Sequence, residues 1–340
     1  MRRPRRSIDT LMKSTAMLRA LLLFTGLSAV SPAIAQPPVA EHAALRFHSS
    51  VLMNLHHTLF AAAWARRPEA GTLRALAGPL PSALEASWRP GEREAWETAV
   101  AYYDRELASR DLLFDRGMTR LKLALVAGDL SDAAVGPGLR AVLEQAVPVY
   151  ERHFWPSHDA ANRAWIGGTL ERLATLAGAV VPRLEQLYGE KWFMEPVRVD
   201  VVWVGNRQGA YTTNRPTHVT ISAGDPENSG WTAVETVFHE VSHTLVLPLQ
   251  ATLNTALGDA RSEHGVLWHV IQFYLTGAAV QEALRARGIE YTPYMYATGL
   301  LDRAWGRYRR PVEDSWAPYV RGEIGLEEAI ARTATAVTTR

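Results

Sequence analysis

The run His239-Glu240-Val241-Ser242-His243 constrains this chain more than any other five residues in it. Histidines at i and i+4 lie one above the other on the same face of a helix, so both imidazoles can reach one ion. The glutamate beside the first histidine points to the side of that pair. The neighbouring sequence calls for a packed helix, because Val234, Val237, Phe238, Val241 and Leu245 recur at helical spacing. Thr232-Ala233-Val234-Glu235 has the capping-box pattern at its start, and Pro248 is expected to end the run.

Composition limits what could complete such a site. The 340 residues include no cysteine, which excludes disulfides, thiolate metal sites and a cysteine nucleophile. Any metal must be held by His, Asp or Glu. The 47% hydrophobic content supplies a sizeable core, and no long polar tract suggests extensive disorder. The formal charge of +1 hides an asymmetry. Arg2, Arg3, Arg5, Arg6, Lys13 and Arg19 against Asp9 give residues 1–35 a charge of +5, which leaves about −4 for the rest. A slightly acidic body offers no electrostatic footprint for nucleic acid.

Residues 1–35 read as a signal peptide. A basic start precedes the apolar stretch from Leu18 to Val30, and Ala33-Ile34-Ala35 supplies a small-residue cleavage site before Gln36. That stretch is shorter than the ~20 residues needed to span a bilayer. The expectation is an exported protein, periplasmic or secreted, with no membrane span after signal removal and no nucleic-acid partner.

The remainder reads as mainly α with a small β-sheet, an α+β chain. An N-terminal helical region is expected over 36–190, and a catalytic region with C-terminal helices over 191–340. Phe47, Val51, Leu55, Leu59 and Ala62 mark one face of a helix ending near Arg67. Further helices are expected at 92–108, 112–127, 138–150 and 163–188. Strands are expected at 197–204 and 217–222, with Gly205-Asn206-Arg207-Gln208-Gly209 as a loop between them. Helix returns near Trp231, stops at Pro248 and resumes over about 262–276. Trp316-Ala317-Pro318-Tyr319 reads as core, and the cluster of His48, His56 and His57 first as plain helix surface, with a second metal site or a place lining the active-site cleft as alternatives.

The segment from about Thr217 to Gly277 resembles the gluzincin group of H-E-x-x-H zinc metallopeptidases. It is also similar to exported bacterial proteins of unassigned function that pair the motif with a W-H-x-x-x-F-Y-x-x-G-like stretch. Here that stretch runs from Trp268 through His269, Phe273 and Tyr274 to Gly277. The resemblance implies a zincin-like catalytic region holding Zn2+, with His239 and His243 as ligands. Glu240 would serve as general base on a zinc-bound water, and a peptide or protein would be the substrate.

The third ligand has two alternatives. Glu263 lies twenty residues after His243, a spacing familiar in the gluzincins, but Leu267 stands where that group usually carries an acidic residue. His269 is the rival, with His264 as a further alternative. On one regular helix Glu263 and His269 would face about 240° apart, so only one could reach the ion.

Thr217 to Ser222 is the candidate edge strand for aligning an extended substrate. Tyr211, Tyr291, Tyr294 and Tyr296 are available as oxyanion donors, but spacing does not choose among them and none is placed in the site. Two other functions fit the same motif: a non-catalytic exported protein that keeps a zinc-site helix, and a metallohydrolase of non-peptide envelope amides.

Overall fold

Period-two alternation sets up the centre of the structure, a computed structural model that describes residues 37–67, 86–193 and 195–339. In strand β3 (Val197–Val202), Val197, Val199 and Val201 point to one face while Arg198 and Asp200 point to the other. Strands β1 (Ala40–His42), β2 (Leu45–His48), β4 (Ala210–Thr213) and β5 (His218–Ser222) complete a mixed sheet in the order β1-β2-β3-β5-β4. The β2–β3 and β3–β5 pairs are parallel, and β1–β2 and β4–β5 are antiparallel.

The two faces of this sheet differ in chemistry. Leu45, Phe47, Val199, Val219 and Ile221 pack into one large core. That core takes in the long helix α5 (Trp155–Tyr188) and the C-terminal helices described below. Along α5 the buried residues Ile166, Leu173, Leu176, Val180, Leu184 and Leu187 form a continuous apolar stripe. The opposite face is polar yet also covered, by α1 (Val51–Ala65), α2 (Glu92–Glu106), α3 (Arg116–Ala127) and α4 (Pro137–His153).

Burial of a polar face requires partners, and most of its groups have them. Arg198 Nε and His218 Nε2 lie 2.6 and 2.7 Å from the Asp200 carboxylate. Asn54 donates to the Val201 carbonyl and accepts from Trp203 N–H and from Asn162. His57 Nε2 lies 2.8 Å from the Tyr211 hydroxyl, and Lys122 Nζ donates to Thr213 Oγ1 and the His218 carbonyl. Lys122 is buried and makes no ion pair among the described residues, so desolvation pushes its ammonium down to about 7.

Several expectations need correction. The segment before Val51 is not helical: Phe47 sits on β2, where it alternates with Arg46 and pairs with Val199. His48, His56 and His57 are not helix surface but buried, at 6%, 0% and 0% exposure. Strand β5 is not an edge. It lies between β3 and β4; the edges are β1 and β4, and β4 follows directly on the expected loop. Residues 112–115 form a loop, because Asp115 caps α3 by accepting from the N–H groups of Gly117 and Met118.

In the C-terminal half, helix α6 (Gly230–Val241) stops well before Pro248. Pro248 instead sits in the first turn of α7 (Leu247–Leu257), where its missing N–H costs nothing. A 3-10 turn over Gly258–Ser262 leads to α8 (Leu267–Arg285). Short helices α9 (Tyr294–Ala297) and α10 (Leu300–Trp305) precede α11 (Arg309–Val320) and α12 (Leu326–Thr338). Trp316 is fully buried and donates to Thr333 Oγ1, which agrees with its reading as core.

The described residues belong to one compact unit, and β2 joins the sheet to β3 across the boundary expected at 190. The expected signal segment lies outside the described residues. No described helix is long and apolar enough to cross a membrane.

The buried polar face makes stability depend on pH. Burial lowers His57 to about 4, despite the favourable hydrogen bond to the Met53 carbonyl. Between its unfolded value near 6.5 and about 4, the unfolded chain takes up a proton on this residue and the native one does not. Stability is therefore expected to fall as pH drops through that window, by about 3 kcal/mol from His57 alone. In His57→Gln the slope of unfolding free energy against pH, from denaturant titrations between pH 4 and 6.5, should lose about one proton.

Candidate metal centre

Helix α6 is buried on every side from Ala233 to Val241, so its polar residues must be matched inside the protein. Its N-cap is Ser229, without a side-chain cap bond. Thr232 therefore lies inside the helix, and the expected capping box does not form. Glu235 turns elsewhere, accepting from the Tyr291 hydroxyl at 2.5 Å and from Tyr294 N–H at 3.0 Å. That contact fastens the segment 291–294 across the helix.

The helix ends at Val241, two residues short of the motif's second histidine. Ser242 N–H still bonds to the Phe238 carbonyl, but His243 N–H bonds to the Glu240 carbonyl, three residues back. His239 thus stands in the last helical turn and His243 in the tighter turn beyond it. Their ring centroids are 5.1 Å apart.

Helix α8 supplies the third imidazole. His269 lies in its first turn, with Nε2 3.1 Å from His239 Nε2 and its ring centroid 5.1 Å from that of His243. One candidate nitrogen from each of the three histidines lies within 4.8 Å of the others, a group that could hold a metal ion. Gln272, three residues on, locks the two helices together by donating to the His239 carbonyl at 2.8 Å.

Of the alternatives for the third ligand, the geometry groups His269 with the motif. Glu263 is exposed beyond the 3-10 turn, its carbonyl accepting from Arg307, and it lies outside the histidine group. Helix α8 begins only at Leu267, so Glu263 and His269 do not share a regular helix. His264 is buried against the Tyr308 hydroxyl and is likewise outside the group.

Aromatic rings enclose these imidazoles. Phe273 stacks on His239 at 3.8 Å, and Trp268 meets His243 edge-on at 5.7 Å. Trp305 lies 5.7 Å from His269. Burial accordingly drives His239 well below its ordinary value, His243 to about 4 and His269 to about 3. Neutral imidazoles with converging lone pairs are what a cation needs, and two Nε2 atoms at 3.1 Å cannot both donate.

Gly277 explains the end of the W-H-x-x-x-F-Y-x-x-G stretch. A Cβ there would meet Pro293 Cβ at 2.7 Å and Glu235 Oε1 at 3.1 Å. The absent side chain lets the 291–294 segment close over α6 and α8.

Glu240 faces the same space. Burial raises its carboxyl to about 7, while the hydrogen bond from Thr212 and the charge of Lys122 pull the other way. Thr212 Oγ1 lies 2.7 Å from Oε2 and 2.8 Å from the Glu240 carbonyl, and His243 Nε2 is 3.7 Å from Oε2. Thr212 was not foreseen, because β4 is only four residues long and follows a loop.

The histidines and Glu240 open onto a cleft of about 450 Å3. Tyr211 and Tyr294 line it, and all four candidate tyrosine hydroxyls are held, those of Tyr211, Tyr291, Tyr294 and Tyr296 by His57, Glu235, Glu227 and Glu313. Strand β4 contributes Ala210, Tyr211 and Thr212 to the wall. Ser222 N–H bonds to the Gly209 carbonyl, so pairing parity turns the main-chain groups of Ala210 and Thr212 away from β5. Compared with known protein families, with curated proteins and with solved structures, the chain matches none.

Proposed function

We propose that the protein is a zinc-dependent metallohydrolase acting on peptides outside the cytoplasm, with a zincin-like catalytic region. The observation that carries this reading is the convergence of His239, His243 and His269 beside the buried Glu240 in one cleft. Three imidazoles suit zinc, whose catalytic sites characteristically use three protein ligands and leave a position open. When bound, zinc supplies a Lewis acid that acidifies water and polarises a carbonyl.

The chain's own residues provide the rest. Glu240 accepts a proton from the attacking water and returns it to the departing amine. Burial raises its carboxyl above the ordinary value, the direction that suits a group that must both take and return a proton. Thr212 fixes Oε2 so that the carboxylate keeps one orientation. Phe273, Trp268 and Trp305 limit water around the imidazoles. Neither cleft tyrosine offers a free oxyanion donor, because the Tyr211 hydroxyl is engaged with His57 and the Tyr294 hydroxyl donates to Glu227. The outward main-chain groups of Ala210 and Thr212 favour a peptide, which can add to β4 as a further strand.

Chelation tests this reading. Hydrolysis of a mixed peptide library should disappear after dialysis against a chelator and return with one equivalent of zinc. Activity unaffected by complete metal removal would overturn it.

A further inference from the structure

Resting on the peptidase reading, we propose that the cleft contains a preformed subsite for a bulky apolar side chain of the substrate, built by Leu113 and Phe114 against Phe60 and Trp64. Phe114 is 80% exposed, the most exposed large hydrophobic side chain among the described residues, and it lines the same cleft as the three histidines. An isolated exposed phenylalanine needs no explanation, but this one is held in place by its whole loop.

The construction is visible residue by residue. Asp111 Oδ1 accepts from the N–H groups of both Leu113 and Phe114, at 2.7 and 2.8 Å. Arg110 grips Asp115 through two bonds, and Asp115 in turn caps α3. The Arg110 guanidinium passes so close to Gly117 that a Cβ there would clash with it. The segment 110–117 is thereby braced at both ends, and the bond pattern presents Leu113 and Phe114 to the cleft. Phe60 and Trp64, from the last turns of α1, line the same cleft, with the Arg207 guanidinium 4.9 Å over the Trp64 ring.

The occupant follows from the sheet edge in the same cleft. A peptide added along β4 sends successive side chains to opposite sides of its backbone, so one of them faces a wall of the cleft. Large apolar side chains on such a wall favour Phe, Leu or Met over Gly or Ala.

The test compares peptides differing only in one residue near the cleaved bond, phenylalanine or alanine, in the zinc-loaded full chain. The wild-type ratio of kcat/KM should favour phenylalanine, and Phe114→Ala should lower that ratio by about tenfold or more. Zinc content and thermal midpoint should stay at wild-type values. Leu123→Ala, an exposed apolar position outside the cleft, should keep the wild-type ratio. A ratio unchanged in Phe114→Ala, or no preference in the wild type, would overturn the subsite.

Binding separates this idea from the hydrolase reading. A blocked tetrapeptide carrying one phenylalanine should quench tryptophan fluorescence at lower concentration than its all-alanine counterpart. Loss of that difference in Phe114→Ala supports the subsite even if no peptide is cleaved. Equal binding of the two peptides by the wild type counts against it.

Discussion

Glu240→Gln is expected to abolish hydrolysis while leaving the metal in place. The amide keeps the shape of the side chain and can still accept from Thr212 Oγ1, so the fold of the turn should survive. What it cannot do is take a proton from water and pass it on. Positioned acid–base groups contribute about 10²- to 10⁴-fold, and a loss of that size in kcat is expected with metal content unchanged. The pH profile should also change. The wild-type activity should rise as Glu240 ionises, and the residual activity of the variant should lack that limb. Full activity in Glu240→Gln would mean that Glu240 is not the general base.

The second large effect concerns the third ligand. His269→Ala should weaken metal binding by more than the ~10–100-fold that loss of an outer-shell partner costs, because it removes one of three converging nitrogens. Glu263→Ala should leave metal affinity unchanged, since that residue is exposed and outside the group. Competition with a chromogenic chelator reads both values. Retention of wild-type affinity in His269→Ala would remove this histidine from the centre.

The motif itself and the helices with long apolar stripes were legible from residue spacing. Val234, Val237, Phe238 and Val241 signalled a buried helix, and the stripe of α5 is a regular helical repeat. The third ligand was not legible, because choosing between Glu263 and His269 needs the start of α8, which no local signal marks. Reading Pro248 as a stop hid the break after Val241, although proline is equally at home in a first turn.

The short strands escaped for a different reason. β1 has three residues and β2 four; β1 pairs only with β2, and β2 joins the sheet through β3 about 150 positions away. Strand β4 was hidden by its loop, yet it carries Thr212 and a free sheet edge. The polar face of the sheet was also invisible locally. His57, Lys122 and His218 look like surface residues until Tyr211, Thr213 and Asp200 are placed beside them.

The most direct test is X-ray absorption at the zinc edge on the purified full-length protein. Three imidazole nitrogens at about 2.0–2.1 Å and one non-protein oxygen are expected, with one zinc per chain. A protein that takes up no zinc with its histidines intact, or a shell closed by four protein ligands, would contradict a hydrolytic centre at His239, His243 and His269.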